Sequence, residues 1–300
     1  MRTALVFAGS SYIGRWLVRR LRERGWRVTA TTRSGAMPCD LRDAAAVEAA
    51  VQAVRPDWVF SCAGATRDEG WREAFDLHLG GSLNVLDAVR RHAAGAGVTL
   101  LGSAAEYAPA DFPLREDHPI APRSFFGASK AAQTQAAAAA AAEWGMRIIT
   151  ARPFNVIGPG LPEHYVAAAL AARLRRQSAE APRDFAVVNA QATRDFIDVR
   201  DTAEALAALA ESPPAAGEHA VFNIATGVET PLLEMAAELG RLAGGFTPVP
   251  AGGAASRGGA VRSCGEASRL RRAVGWAPRW SWRESLADLW RSPNEVAAAA

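Results

Sequence analysis

The stretch TALVFAGSSYIGRWLVRRL, residues Thr3–Leu21, decides the fold. Ala4–Phe7 is an apolar run that reads as a strand. It breaks into the small residues Ala8, Gly9, Ser10 and Ser11, and an amphipathic helical pattern follows from Tyr12. Strand, tight turn and helix in that order gather free backbone N–H groups at one point. Such a helix N-terminus favours an anion, and small side chains let the backbone approach a pyrophosphate. The spacing is irregular. Laid on a three-glycine turn that ends at Gly14, the first two glycine places hold Ala8 and Ser11, with Gly9 between them. Taken alone, the turn is equally compatible with a structural role.

Outward from it, strand-like and helix-like segments alternate. Strands are expected at Ala4–Phe7, Arg27–Thr32, Trp58–Cys62, Val98–Leu101 and Arg147–Ala151. Helices are expected at Tyr12–Arg24, Ala44–Val54, Glu73–Arg91 and Gly127–Glu143. This order argues for a parallel sheet with helices on both faces and ligands at the carboxyl ends of the strands. The alanine run Ala136–Ala142 suits an ordinary, closely packed helix. After about residue 155 the texture becomes loop-rich, with Gly158–Pro162, Ser212–Gly217 and Ala251–Gly259, and with helices expected at Pro231–Leu242 and Trp282–Trp290. The expectation is a dinucleotide-binding unit over 1–155 and a smaller unit over 156–300, interleaved so that 198–225 returns to the sheet. Ala297–Ala300 reads as a frayed tail.

The bulk composition excludes several classes. A net charge of +3 with scattered arginines makes no nucleic-acid stripe, and no apolar run spans a bilayer. Cys39, Cys62 and Cys264 have neither metal-ligand nor disulfide spacing, so no metal is expected. The N-terminus enters the first strand directly, which suggests a cytoplasmic protein. Of the 34 Lys and Arg residues a single one is lysine, Lys130. A position that resists so strong an arginine bias points to a need for an ammonium.

The second strand ends at Thr32–Arg33, where an acidic residue would hold the adenosine ribose of NAD. No Asp or Glu is there. Arg33 with Ser34 suits a 2′-phosphate, which favours NADP(H) over NAD(H); the alternative is a solvated arginine.

With Asp40-Leu41, Cys62-Ala63-Gly64, the block Arg152–Gly160 (RPFNVIGPG), Arg194–Asp201 (RDFIDVRD) and Gly275–Pro278 (GWAP) in view, the chain resembles the extended short-chain dehydrogenase/reductases. These are NAD(P)-dependent nucleotide-sugar epimerases, dehydratases and reductases. The resemblance runs through about Trp290 and is nearest in pattern to members that reduce GDP-4-keto-6-deoxymannose. It implies a Rossmann-type doubly wound parallel sheet with a smaller C-terminal substrate-binding lobe. It implies cofactor contacts at Ala8, Gly9, Ser11, Tyr12, Ile13, Gly14, Arg33, Asp40, Leu41, Cys62, Ala63, Gly64, Lys130 and Pro153. Thr66, Ser103, Asn155, Tyr165, Arg194 and Arg257 fall at substrate positions, Arg194 and Arg257 at the diphosphate. Planar, permanently charged guanidinium forks suit a diphosphate. The implied partners are a sugar nucleotide and a second copy of the chain, docked through Glu73–Arg91 and Gly127–Glu143.

The family's chemistry uses Ser or Thr, Tyr, and Lys four residues after the Tyr. That spacing puts the last two on one helical face, where the ammonium lowers the phenol's pKa. Ser103 and Lys130 match, but the tyrosine place is Phe126. Three explanations stand: an engineered Tyr→Phe change, an enzyme that uses another group, or a non-catalytic binder. Tyr12, Tyr107, Tyr165, Glu106 and His78 are the other candidates, and His78 stands where the family has Asn. Ala104-Ala105 lack the acids that 4,6-dehydratases place after the Ser/Thr, which favours keto-sugar reduction or epimerisation. Glu106 is one place too far along and would face the other side of an extended strand.

Overall fold

The computed structural model describes residues 1–64, 70–177, 183–251 and 262–292. The first half runs β1 (Thr3–Phe7), α1 (Tyr12–Glu23), β2 (Arg27–Ala30), α2 (Ala44–Val54), β3 (Trp58–Ser61), α3 (Trp71–Phe75), a π-helical turn (Asp76–Gly80) and α4 (Gly81–His92). It continues through β4 (Gly97–Leu101), a 3₁₀ turn (Ala104–Glu106), α5 (Phe125–Trp144) and β5 (Arg147–Pro153). The second half runs β6 (Asn155–Ile157), α6 (Val166–Arg175), β7 (Asp184–Val187), β8 (Thr193–Asp198), α7 (Val199–Glu211) and β9 (His219–Ile224). It ends with β10 (Glu229–Pro231), α8 (Leu232–Leu242), β11 (Thr247–Pro250), β12 (Arg262–Ser263), α9 (Ser268–Val274) and α10 (Trp282–Arg291).

Six strands form one all-parallel sheet in the order β2-β1-β3-β4-β5-β9. Successive side chains of a strand point to opposite faces, so a central parallel strand must be apolar throughout. In β1, Ala4 and Val6 join a core with Leu17, Leu21 and Leu206. Leu5 and Phe7 join the opposite core with Val47, Leu86 and Ala137. α1 and α7 therefore cover one face and α2, α4 and α5 the other. Each fully buried Leu or Phe contributes roughly 1.5–3 kcal/mol. β9 pairs with β5 although it lies beyond β6–β8 in sequence. The remaining strands form small sheets, β10-β8-β12 with β6 beside β8, and β11-β7.

Two expected elements differ. The helix expected over Glu73–Arg91 begins at Trp71 and is interrupted by the π turn, where buried His78 turns inward to bond Ser129. The strand expected over Arg27–Thr32 stops at Ala30. The Thr31 carbonyl accepts the Gly9 N–H at 2.8 Å, and Thr32 makes an isolated bridge to Pro38. The expected loop Ala251–Gly259, apart from Ala251, and the tail 297–300 lie outside the described residues.

Candidate active site

The strand order reverses between β1 and β3, so their carboxyl ends open a crevice of the kind that binds ligands in such sheets. Ser11 caps α1 there. Its hydroxyl accepts the Gly14 N–H at 3.2 Å and donates to the Cys62 carbonyl at 3.1 Å, which joins the first turn to the turn after β3. Gly14 leaves no room for a side chain: a Cβ would stand 2.4 Å from the Ala8 carbonyl oxygen. Gly9 is as tight, with a Cβ placed 2.6 Å from that of Ala30. Ala8 adopts φ 55°, a left-handed conformation that favours glycine. The turn thus keeps a glycine-type backbone with an alanine in it. The first turn of α1 carries no acidic residue, so the helix N-terminus is open to an anion. Ile13 packs against the core. Tyr12 is buried, its hydroxyl makes no hydrogen bond among the described residues, and burial, then Asp198, raise its pKa well above the usual value.

Around this turn, Cys62 is buried, and burial pushes its thiol up to about 12. Ala63 is half-buried, Gly64 is exposed and Leu41 is buried. Arg33 is exposed just past β2. Asp40 is also exposed and pairs with Arg42 at 2.5 Å; Arg42, with a smaller contribution from Arg33, holds its carboxyl down to about 2.

The second corner is built by the turn after β4 and the start of α5. Ser124 caps α5, accepting the Gly127 N–H at 3.1 Å. A Cβ on Gly127 would stand 2.2 Å from the Ala105 carbonyl oxygen, so this glycine lets α5 touch the Ser103 turn. Lys130 is buried. Its Nζ donates to the carbonyls of Leu101 at 2.7 Å and Ala63 at 3.3 Å, and to Gln133 Oε1 at 3.3 Å. It therefore bridges the carboxyl ends of β3 and β4. Burial lowers its pKa to about 8, opposed by Glu106. Ser103 is half-buried, and its hydroxyl accepts the Ala105 N–H at 3.1 Å. Phe126 is half-buried and meets the His78 ring edge-on, with centroids 5.4 Å apart. His78 Nδ1 pairs with the Ser129 hydroxyl at 2.8 Å, and burial, then Lys130, push its pKa down to about 2, so it is neutral. Glu106 does not lie on an extended strand: it closes the 3₁₀ turn and is fully buried. Tyr107 is buried and donates to Asn223 at 2.7 Å.

In the second half, Pro153 ends β5 and is buried. Asn155 Nδ2 donates to the Asp195 carbonyl at 3.2 Å. Arg194 is half-buried on β8, paired across to Ser263 of β12, and donates to the Thr193 carbonyl at 2.7 Å. Tyr165 is exposed just before α6. Thr66 and Arg257 lie outside the described residues.

The carboxylates of RDFIDVRD are anchors that the sequence reading did not resolve. Asp195 accepts from the Thr226 and Gly227 N–H groups, both at 2.9 Å, and from Gly265 at 3.2 Å. Asp198 caps α7 and accepts from Ser285 on α10 at 2.6 Å. Asp201 accepts from the N–H groups of Arg279 and Trp280, both at 3.0 Å. Burial raises Asp195 and lifts Asp201 to about 6.

Fold and site together define a Rossmann-type α/β protein with its candidate site at the carboxyl edge of the sheet. The chain belongs to the NAD dependent epimerase/dehydratase family, whose model matches residues 4–225. It is 29% identical to a dTDP-6-deoxy-L-talose 4-dehydrogenase (NAD(P)(+)) of Kitasatospora kifunensis, over 98% of this chain and 96% of that protein. It is 30% identical to a GDP-6-deoxy-D-mannose reductase of Pseudomonas aeruginosa, over 77% and 78% of the two chains. The structure of RMD from Pseudomonas aeruginosa complexed with NADPH superposes with a TM-score of 0.83 at 25% identity, covering 97% of this chain and 98% of that one.

Proposed function

We propose that this protein is an NADP(H)-linked enzyme acting on a sugar nucleotide, and that its reaction is reduction of a 4-keto sugar. The observation that carries the reading is Lys130, buried where the carboxyl ends of β3 and β4 meet, one helical turn after Phe126 and beside the Ser103 turn. The cradle at Ala8–Gly14 fits a dinucleotide pyrophosphate, since its glycines exclude side chains and its helix end carries no acid. Ser11, Ile13, Gly14, Cys62, Ala63 and Gly64 would line the cofactor, with Arg33 toward a 2′-phosphate and Lys130 toward the nicotinamide ribose. Bound nicotinamide supplies the hydride. Ser103 holds the reacting oxygen, and Asn155, Tyr165 and Arg194 hold the sugar nucleotide. The named activities of the two relatives and the NADPH complex support this reading.

A second reading, a catalytically silent binder, is favoured by Phe126, which has no titratable oxygen. The test is thermal protection by NADPH, NADH and sugar nucleotides, followed by turnover of 4-keto sugar nucleotides by the chain and by F126Y. Protection by both ligand classes with a gain of activity in F126Y is expected. Protection without any turnover in either protein selects the binder. Protection by NADPH and not by sugar nucleotides removes the proposed substrate class. We also place a homodimer contact on α4 and α5, where Leu83 and Trp144 are exposed. Light scattering at the monomer mass would remove it.

A further inference from the structure

Glu106 is a fully buried carboxylate at the edge of the candidate site. Its Oε1 accepts the Ser103 N–H at 2.8 Å. Its Oε2 accepts the Thr134 hydroxyl of α5 at 2.8 Å, and Arg152 of β5 at 2.9 Å from Nε and 2.7 Å from Nη2. Gly102 makes the space, since a Cβ there would stand 2.5 Å from Glu106 Oε1. Arg152 donates on to the Tyr107 hydroxyl at 2.9 Å, and Tyr107 reaches Asn223 of β9. One carboxylate thus ties the end of β4 to α5, β5 and β9. Thr134 stands one helical turn beyond Lys130, and Gln133, between them, donates to the Leu101 carbonyl that also receives Lys130.

A buried ion pair adds little net stability over a well-packed apolar pair, so packing alone is a weak reason for one here. Among the described residues, the titratable groups that act on Lys130 are the Cys62 thiol after β3, the His78 imidazole of the π turn and the Glu106 carboxylate, which Arg152 of β5 backs. Burial keeps the thiol protonated and the imidazole neutral. Glu106 acts only as an acceptor toward Ser103, Thr134 and Arg152, the pattern of a carboxylate held by an ion pair.

We propose that Glu106 is a positioning residue: its carboxylate, paired with Arg152, fixes the turn that carries Ser103 against the helix that carries Lys130, and sets a negative charge against Gly102, next to the Leu101 carbonyl that holds Nζ. This rests on the reading of Ser103 and Lys130 as site residues, but its test needs no turnover. Because Lys130 is the sole lysine in the sequence, protein isotope-labelled at lysine Cε gives a single side-chain NMR signal, whose pH titration reports Lys130 alone. In E106Q the midpoint moves to lower pH by about one unit or more. E106D keeps the charge and keeps the midpoint near its parent value. E106Q/R152Q removes both buried charges and avoids stranding Arg152; because the two lost charges act on Lys130 in opposite directions, its midpoint moves down by less than in E106Q. A folded E106Q with an unmoved Lys130 titration, or a folded E106Q/R152Q whose midpoint rises, overturns the proposal. Loss of sugar-nucleotide binding would bear on the proposed function and leave this titration intact.

Discussion

The turn at Ala8–Gly14 and the corner at Ser124–Lys130 differ from the motifs expected of the sequence in opposite ways. The turn holds other small residues at two of the expected glycine places and has a glycine-type backbone: Ala8 holds φ 55°, Ser11 caps α1, and Gly14 sits where no side chain fits. The corner has a helix cap at Ser124, a tight glycine at Gly127 and a buried lysine at Lys130, with a phenyl ring and no titratable oxygen at Phe126. Backbone N–H groups do the work at a pyrophosphate turn, so several side chains can serve there. Proton transfer needs a titratable atom, so one substitution there changes what the site can do.

The largest effect expected from this contrast is at Phe126. F126Y should raise turnover of a 4-keto sugar nucleotide with NADPH by about 10²-fold or more, the contribution typical of a positioned acid. An unchanged steady-state rate would mean that the corner never used a phenol. Lys130→Arg tests whether charge or shape matters. The three acceptors around Nζ suit a compact ammonium, and a planar fork would not fit. NADPH affinity should fall about tenfold or more, and an unaltered calorimetric titration would detach Lys130 from the cofactor. The ammonium also sets a pH dependence. Because burial lowers Lys130 to about 8, its charge is present below that pH and is lost as pH rises through it, so NADPH affinity in the parent protein should decline across that range.

Within the turn the effects are smaller. Gly14→Ala forces a Cβ toward the Ala8 carbonyl, and overpacking of this kind costs about 2 kcal/mol. It should weaken dinucleotide binding and lower the urea midpoint together; a wild-type midpoint would show that the turn has room to spare. Ala8→Gly relieves the left-handed alanine at some cost in chain entropy, so a gain of about 0.5 kcal/mol is expected by the same measurement. A loss would mean that Ala8 makes packing contacts that outweigh its conformation.

Much of the fold was legible because its signals are local. The alternation of strands and helices, the small-residue turn before Tyr12 and the separation of Phe126 from Lys130 are properties of short stretches. The elements between Asn155 and Pro231 were harder to read. β6, β8 and β10 have three to six residues each, too few for periodicity to declare them. The Ala-rich α6 carries only a weak amphipathic contrast between loop-like segments.

The sequence by itself determined a parallel sheet with helices on both faces and the strand, small-residue turn and helix at Thr3–Leu21. Tertiary structure alone decided that Glu106 turns inward to join Ser103, Thr134 and Arg152, that His78 meets Phe126 edge-on, and that the RDFIDVRD carboxylates tie strands and helices together. Spacing can place residues on one face of one element. Which buried charge finds which partner depends on crossovers that bring together positions tens of residues apart, where the cost of an unpaired buried group leaves few arrangements.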